Sequence, residues 1–348
     1  MKQAIRNLIA AGTVLFQVIA APGSNGQDAD GMAQSVPPSQ TFALNDIKDL
    51  TLAGAKAEAV EYRGRKAVRL TMPDGVEDGF AFLNGTQFRD GTIEMDIATH
   101  TTTPPGVRMP GFSGIAFRAR KDGAHYEQFY LRPGNSSSED QAMRNHSVQY
   151  TAEPGYSWER LRRQWPWIYE SHAELKMDEW THVKIDVHGR VAKLYLNGSD
   201  SPSLIVDGLK GEDLEGAVAL WSYANEEAYF SNVKIENAKP EPIENGGEAA
   251  GTWDVKFASD AGPFAGTMKL VRQGNTLVGI WSGAFGPNQQ VSGEWRDGYV
   301  ELTFSGTWPE QPGVVTATLA GWVDGDSAKG RMKVEGRADG RWSATRQK

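Results

Sequence analysis

The sequence predicts an all-β protein, a jelly-roll sandwich followed by a small up-and-down β-barrel, on three observations. Apolar and polar residues alternate in many short runs, the pattern of half-buried strands. Glycine, aspartate and proline turns punctuate those runs along the whole chain. No stretch sustains the period of a long amphipathic helix.

The first residues stand apart from the fold. Lys2 and Arg6 precede an apolar run at 8–21 that ends in small residues, too short to cross a bilayer. Residues 1–21 therefore read as a secretory signal peptide. Residues 22–40 are polar and rich in Gly, Pro and Ser, the composition of a disordered spacer. The sandwich is expected over 41–238, with strands at 67–72, 91–99, 113–120, 127–132, 181–189, 191–198, 217–222 and 229–236. His188-Gly189-Arg190 has hairpin composition between two alternating runs. Only 156–171 has room for a short helical turn, and Pro166 interrupts it. Residues 239–250, with two prolines, a double glycine and acidic side chains, form a linker. Over 251–348, strands are expected at 253–257, 266–272, 276–281, 290–295, 299–306, 314–323, 328–334 and 341–345. A meander of that many strands closes best into a small barrel. Trp253, Trp281, Trp295, Trp308, Trp322 and Trp342 would lie inside it or at its mouth.

Composition excludes several classes. A chain of 348 residues suffices for two cores. It holds no cysteine, which rules out disulfides, thiolate metal sites and a cysteine nucleophile. With the leader, this points to an exported protein, periplasmic or extracellular. The net charge of −8, two units more negative without Lys2 and Arg6, argues against a nucleic-acid partner. No later segment has membrane length, so no span is expected after leader cleavage. Phosphate-loop, serine-hydrolase elbow and metalloprotease motifs are absent.

The richest segment is 126–150. Tyr126, Gln128, Tyr130 and Arg132 alternate onto one strand face, and His146, Gln149 and Tyr150 arrive on a second extended run. Planar donors and acceptors (Gln128, Arg132, Asn135, Arg144, Gln149) beside aromatic faces (Tyr126, Tyr130, Tyr150) suit a sugar. The segment 157–171 adds Trp158, Arg160 and Arg162. Two roles are open to it: a rim over the ligand face, or an apolar plug on the sandwich end. His182, Asp186 and His188 share one strand face but read as solvated, so no metal ligand set is expected. No cofactor is expected, although Asp207, Glu212 and Asp213 leave a structural Ca²⁺ open.

Segments GTIEMDI (91–97), SGIAFRAR (113–120), YEQFYLR (126–132), WTHVKI (180–185), GAVALW (216–221) and YFSNV (229–233) resemble the concanavalin A-like lectin/glucanase superfamily. The resemblance is closer to its laminin-G-like and 3-keto-disaccharide-hydrolase-like bacterial members. The C-terminal segments GTWDV, GTMKLVRQGNTLVGIWSG and WSATR resemble small lipocalin- or avidin-like barrels. The first resemblance implies an oligosaccharide or glycoside held on the concave face, with YEQFYLR in that sheet. It leaves two alternatives open. One is glycoside cleavage, hydrolytic or eliminative, with His146, Glu170 or Tyr150 in acid–base roles and Arg132 and Gln128 positioning. The other is a non-catalytic interaction module of the cell envelope. In one respect the chain departs from the superfamily: Glu94-Met95-Asp96-Ile97-Ala98 does not complete the carboxylate pattern of family-16-type glucanases.

Overall fold

A computed structural model describes residues 36–104, 106–243, 246–308 and 313–348. The expected signal peptide and most of the spacer lie outside the described residues. The first part of the chain forms β1 (Gln40–Phe42), β2 (Leu50–Ala53), β3 (Lys56–Tyr62), β4 (Arg65–Thr71), β5 (Asp78–Leu83), β6 (Gly91–Thr101), β7 (Ser113–Ala119) and β8 (Tyr126–Leu131). Two single-turn helices follow, α1 (Pro133–Ser136) and α2 (Gln141–Arg144), then β9 (Val148–Glu153), α3 (Trp158–Gln164) and β10 (Glu170–Ser171). The sandwich ends with β11 (Thr181–His188), β12 (Val191–Leu196), β13 (Leu204–Asp207), β14 (Ala217–Tyr223) and β15 (Glu226–Asn237).

These strands make two antiparallel sheets. One runs β13-β12-β11-β6-β15-β4-β3 with β1 beside β15; the other runs β10-β9-β8-β7-β14-β5-β2. This is the two-sheet jelly-roll sandwich that the sequence predicts. The sheets face each other because one side of each strand is apolar: β11 alternates buried and half-exposed, with Val183, Ile185 and Val187 inward. From the other sheet, Ile115, Phe117, Phe129, Leu131, Val148 and Leu220 complete the core. The hairpin at 188–191 is present, with His188 opposite Val191.

The second part is β16 (Gly251–Ser259), β17 (Gly262–Gln273), β18 (Thr276–Gly283), β19 (Gly286–Arg296), β20 (Tyr299–Thr307), β21 (Val314–Asp324), β22 (Ser327–Val334) and β23 (Ala338–Arg346). They pair in chain order, and β16 closes on β23 to give an up-and-down barrel. Closure removes every sheet edge. Phe257, Trp281, Phe285, Phe304, Met332 and Trp342 fill the interior. Trp322 departs from expectation: it lies on the outer wall with Tyr299 and Ala320, and these three join the sandwich core. Its register explains this, since Val315, Ala317, Leu319 and Val323 take the inward positions of β21. Three ion pairs cross the same seam: Arg160–Glu301 at 2.8 Å, Arg296–Glu212 at 2.9 Å and Arg341–Asp207 at 2.7 Å.

Candidate functional site

The outer face of the seven-stranded sheet carries a cleft of about 570 Å³. Strand register orders the sheet beneath it in rows. Gln149, Tyr130, Gly114, Trp221 and Phe80 lie side by side across five strands. The next row holds Thr151, Gln128, Ala116, Ala219 and Phe82. Small residues on β7 and β14 let the aromatic rings lean over them. Gly114 is required there, because a Cβ would meet Phe129 O at 2.2 Å and Tyr130 Cβ at 2.6 Å. Tyr130 and Trp221 then approach to 5.3 Å between ring centroids.

Arg132 anchors one end. It is 4% exposed, donates through Nη2 to Tyr130 OH (2.8 Å) and Gln149 Oε1 (3.1 Å), and donates through Nη1 to the His146 carbonyl (3.1 Å). Its Nε has no hydrogen-bond partner. Gln128, 2% exposed, accepts from Thr151 Oγ1 at 3.3 Å while its Nε2 has no partner. Both unmet atoms are buried, on residues that line a single cleft, and buried donors are nearly always satisfied.

His146 lines the same end, stacked at 5.7 Å on Trp167, a residue with left-handed backbone (φ 67°). Its Nδ1 is 2.8 Å from Glu170 Oε2. Arg162, from the last turn of α3, grips Glu170 through Nε (2.9 Å) and Nη2 (2.6 Å). Ser157 caps that helix, accepting from the Arg160 N–H. Burial holds the imidazole below its ordinary value; Glu170 opposes this, and Arg162 and Arg132 reinforce it. The histidine is therefore neutral at pH 7 and able to accept a proton.

The opposite end is acidic. Glu77, Asp78, Glu153 and Glu159 line it with Tyr126 and Tyr223. Burial pushes the Glu153 carboxyl up, the Gly155 N–H opposes, and Glu159 and Asp78 add to the rise. The cleft is thus polarised, with an imidazole held toward its neutral form and guanidiniums at one end and a carboxyl shifted toward protonation at the other.

Of the residues expected from the sequence, Tyr126, Gln128, Tyr130, Arg132, Asn135, His146, Trp158 and Arg162 line this cleft together. Gln149 and Glu170 stand behind it, as partners of Arg132 and His146. Tyr150 does not belong: β9 turns it into the core, where its hydroxyl donates to Glu127 and accepts from the Lys210 N–H. Arg160 is likewise elsewhere, bound to Glu301 of the barrel, so the segment 157–171 serves both as rim (Trp158, Arg162) and as interdomain contact. Arg144 is not among the lining groups; its carbonyl accepts from Ser147. Asp207, Glu212 and Asp213 each pair with a different arginine, Arg341, Arg296 and Arg120. Trp221, Tyr223, Phe112, Glu77, Asp78 and Glu153 escaped the sequence reading. Alternation along 217–223 would have found the first two; strand register sets Asp78 opposite Tyr223 and Glu153 opposite Tyr126.

The model of the 3-keto-alpha-glucoside-1,2-lyase-like domain matches residues 43–236. No curated protein sequence matches the chain significantly. Among solved structures, a carbohydrate-binding module from Bacillus subtilis is 17% identical, with TM-score 0.36, covering 53% of this chain and 98% of its own. A Bacillus subtilis protein with a galectin-like fold is 12% identical, with TM-score 0.41 and coverage of 60% and 99%. Bacillus licheniformis β-glucanase is 12% identical, with TM-score 0.36 and coverage of 59% and 100%.

Proposed function

The chain belongs to the family of the 3-keto-alpha-glucoside-1,2-lyase-like domain, and on that premise we propose that its cleft binds a glycoside oxidised at C3 and eliminates the aglycone. The observation that carries this reading is the pairing of a neutral His146 with a buried Arg132 whose Nε is unmet. A C3 ketone acidifies the proton on C2. His146 takes that proton, and the electron pair moves onto the C3 oxygen as an enolate. Arg132 and Gln128, with donors to spare, stabilise that oxygen. The enolate collapses to a C1=C2 double bond, and the bond from C1 to the aglycone oxygen breaks. Glu153, held toward its protonated form, returns a proton to the leaving oxygen. The products are an unsaturated 3-keto sugar and an alcohol, with no change of oxidation state.

Incubation with an aryl 3-keto-α-glucoside tests this. The expected result is release of the phenol together with ultraviolet absorbance of a conjugated enone, and no turnover of the unoxidised glucoside. A second reading, recognition without cleavage, is favoured by the ring platform of Tyr126, Tyr130, Trp221 and Phe80. Tight binding of the keto sugar with no enone formed would select it. Absence of both binding and turnover would refute both readings.

A further inference from the structure

We propose that the groove between barrel and sandwich is a second binding site, for a glycan that carries carboxylates or sulfates. The groove measures about 770 Å³, larger than the sheet cleft, and shares no residue with it. Strand pairing arranges its barrel wall. Lys256 lies opposite Ser343, Ser343 opposite Lys329, and Lys329 opposite Trp322, so the four form one row across β16, β23, β22 and β21. The two lysines are two strands apart, roughly 10 Å by ordinary strand spacing. Arg341 stands on the same face of β23, two residues from Ser343.

The sandwich supplies Arg190, its guanidinium 3.2 Å from the Trp322 ring centroid. Burial pulls Arg190 down to about 10, so it stays a cation at neutral pH. Arg190 is engaged within the protein, donating to the Gly211 carbonyl at 3.0 Å, and Arg341 holds the groove's one carboxylate, Asp207, at 2.7 Å, so Lys256 and Lys329 are the cations left to a ligand. Lys256 and Lys329 make no ion pair among the described residues. In a chain of net charge −8, such a pocket has one electrostatic complement, an anion.

The occupant's class follows from the walls. Pro263 and Ala265 offer apolar surface beside the cations, which suits the C–H faces of a sugar bearing acidic groups. Single-stranded nucleic acid needs exposed rings for its bases, and Trp322 and Trp342 are only 5% and 4% exposed. The chain's overall charge also repels a long polyanion.

Calorimetric titration of the full chain at low salt tests the assignment, with tetragalacturonate and a heparin tetrasaccharide as carboxylate and sulfate probes. Maltotetraose and a short single-stranded oligonucleotide are the comparators. At least one anionic glycan should bind, more weakly as salt is raised. The exposed double variant K256E/K329E should weaken it about tenfold or more, with keto-glycoside turnover at the sheet cleft unchanged. Which probe binds identifies the acidic group. The proposal is overturned if neither binds, if the double variant binds equally well, or if either comparator binds as tightly. Because turnover is read separately, failure here leaves the lyase assignment standing.

Discussion

Glu170 Oε2 lies 2.8 Å from His146 Nδ1 and accepts from Arg162 Nη2 at 2.6 Å. A carboxylate divided in this way orients the imidazole without raising its basicity as a dedicated partner would. Burial and the two guanidiniums prevail, and His146 remains neutral.

This sets a pH profile. His146→Gln should lower turnover of the keto glycoside by roughly 10²–10⁴-fold. The wild-type acid limb should fall below 6.5, the ordinary imidazole value. Arg162→Met removes a cation that disfavours the imidazolium, so the limb should move to higher pH. Rate profiles of the three proteins check this, and an unmoved limb would remove His146 from the proton transfer.

Gln128 separates binding from stability. Its Nε2 meets nothing in the protein, so Gln128→Leu should change unfolding free energy by no more than about 1 kcal/mol. Affinity for the sugar should drop about tenfold, the worth of one buried hydrogen bond. Denaturant melts beside calorimetry give both numbers. A large stability loss with intact affinity would make Gln128 a structural residue.

Lys210 is buried at the seam, donates through Nζ to Tyr299 OH at 2.5 Å, and is brought by burial to about 7. The unfolded chain keeps that proton up to about 10.5. Stability from this group therefore climbs as pH rises from about 7 toward 10.5, by at most about 1.4 kcal/mol per pH unit. Lys210→Met should flatten that climb, and its stability relative to wild type should be greatest below pH 7. Thermal melts across pH 6–9 decide the point.

Glu226 predicts the reverse slope. Burial raises it to about 8, which the backbone of Gly111 and Phe112 only partly opposes. The folded state holds a proton that the unfolded state has released, so stability falls as pH rises from 4.5 to about 8. Glu226→Gln should abolish the fall and gain most above pH 8. Equal slopes in the two proteins would show Glu226 to be already ionised.

Much of this was legible in the sequence. Alternation gave all eight barrel strands and placed Tyr126, Gln128, Tyr130 and Arg132 on one face, because period two is local information. The same rule, applied across 148–153, sends Tyr150 to the opposite face from Gln149, a consequence the residue-type reading overlooked. Strands β1, β2, β3, β5, β10 and β13 were missed; β2 and β3 carry weak, half-exposed patterns at sheet edges. Which side of the sandwich would meet the barrel could not be read, since that depends on Trp322 and Tyr299 facing outward across a hundred residues of chain.

That outward pair has a practical consequence for anyone dividing the molecule. The covalent seam lies in the unpatterned stretch at 239–250, but the physical seam runs through Lys210, Tyr299 and Trp322. A fragment cut at the former would carry a raw wound at the latter: a naked tryptophan and tyrosine on one piece, an orphaned buried lysine on the other. Expression of either half alone should yield sticky, self-associating material, although each half contains a complete set of paired strands.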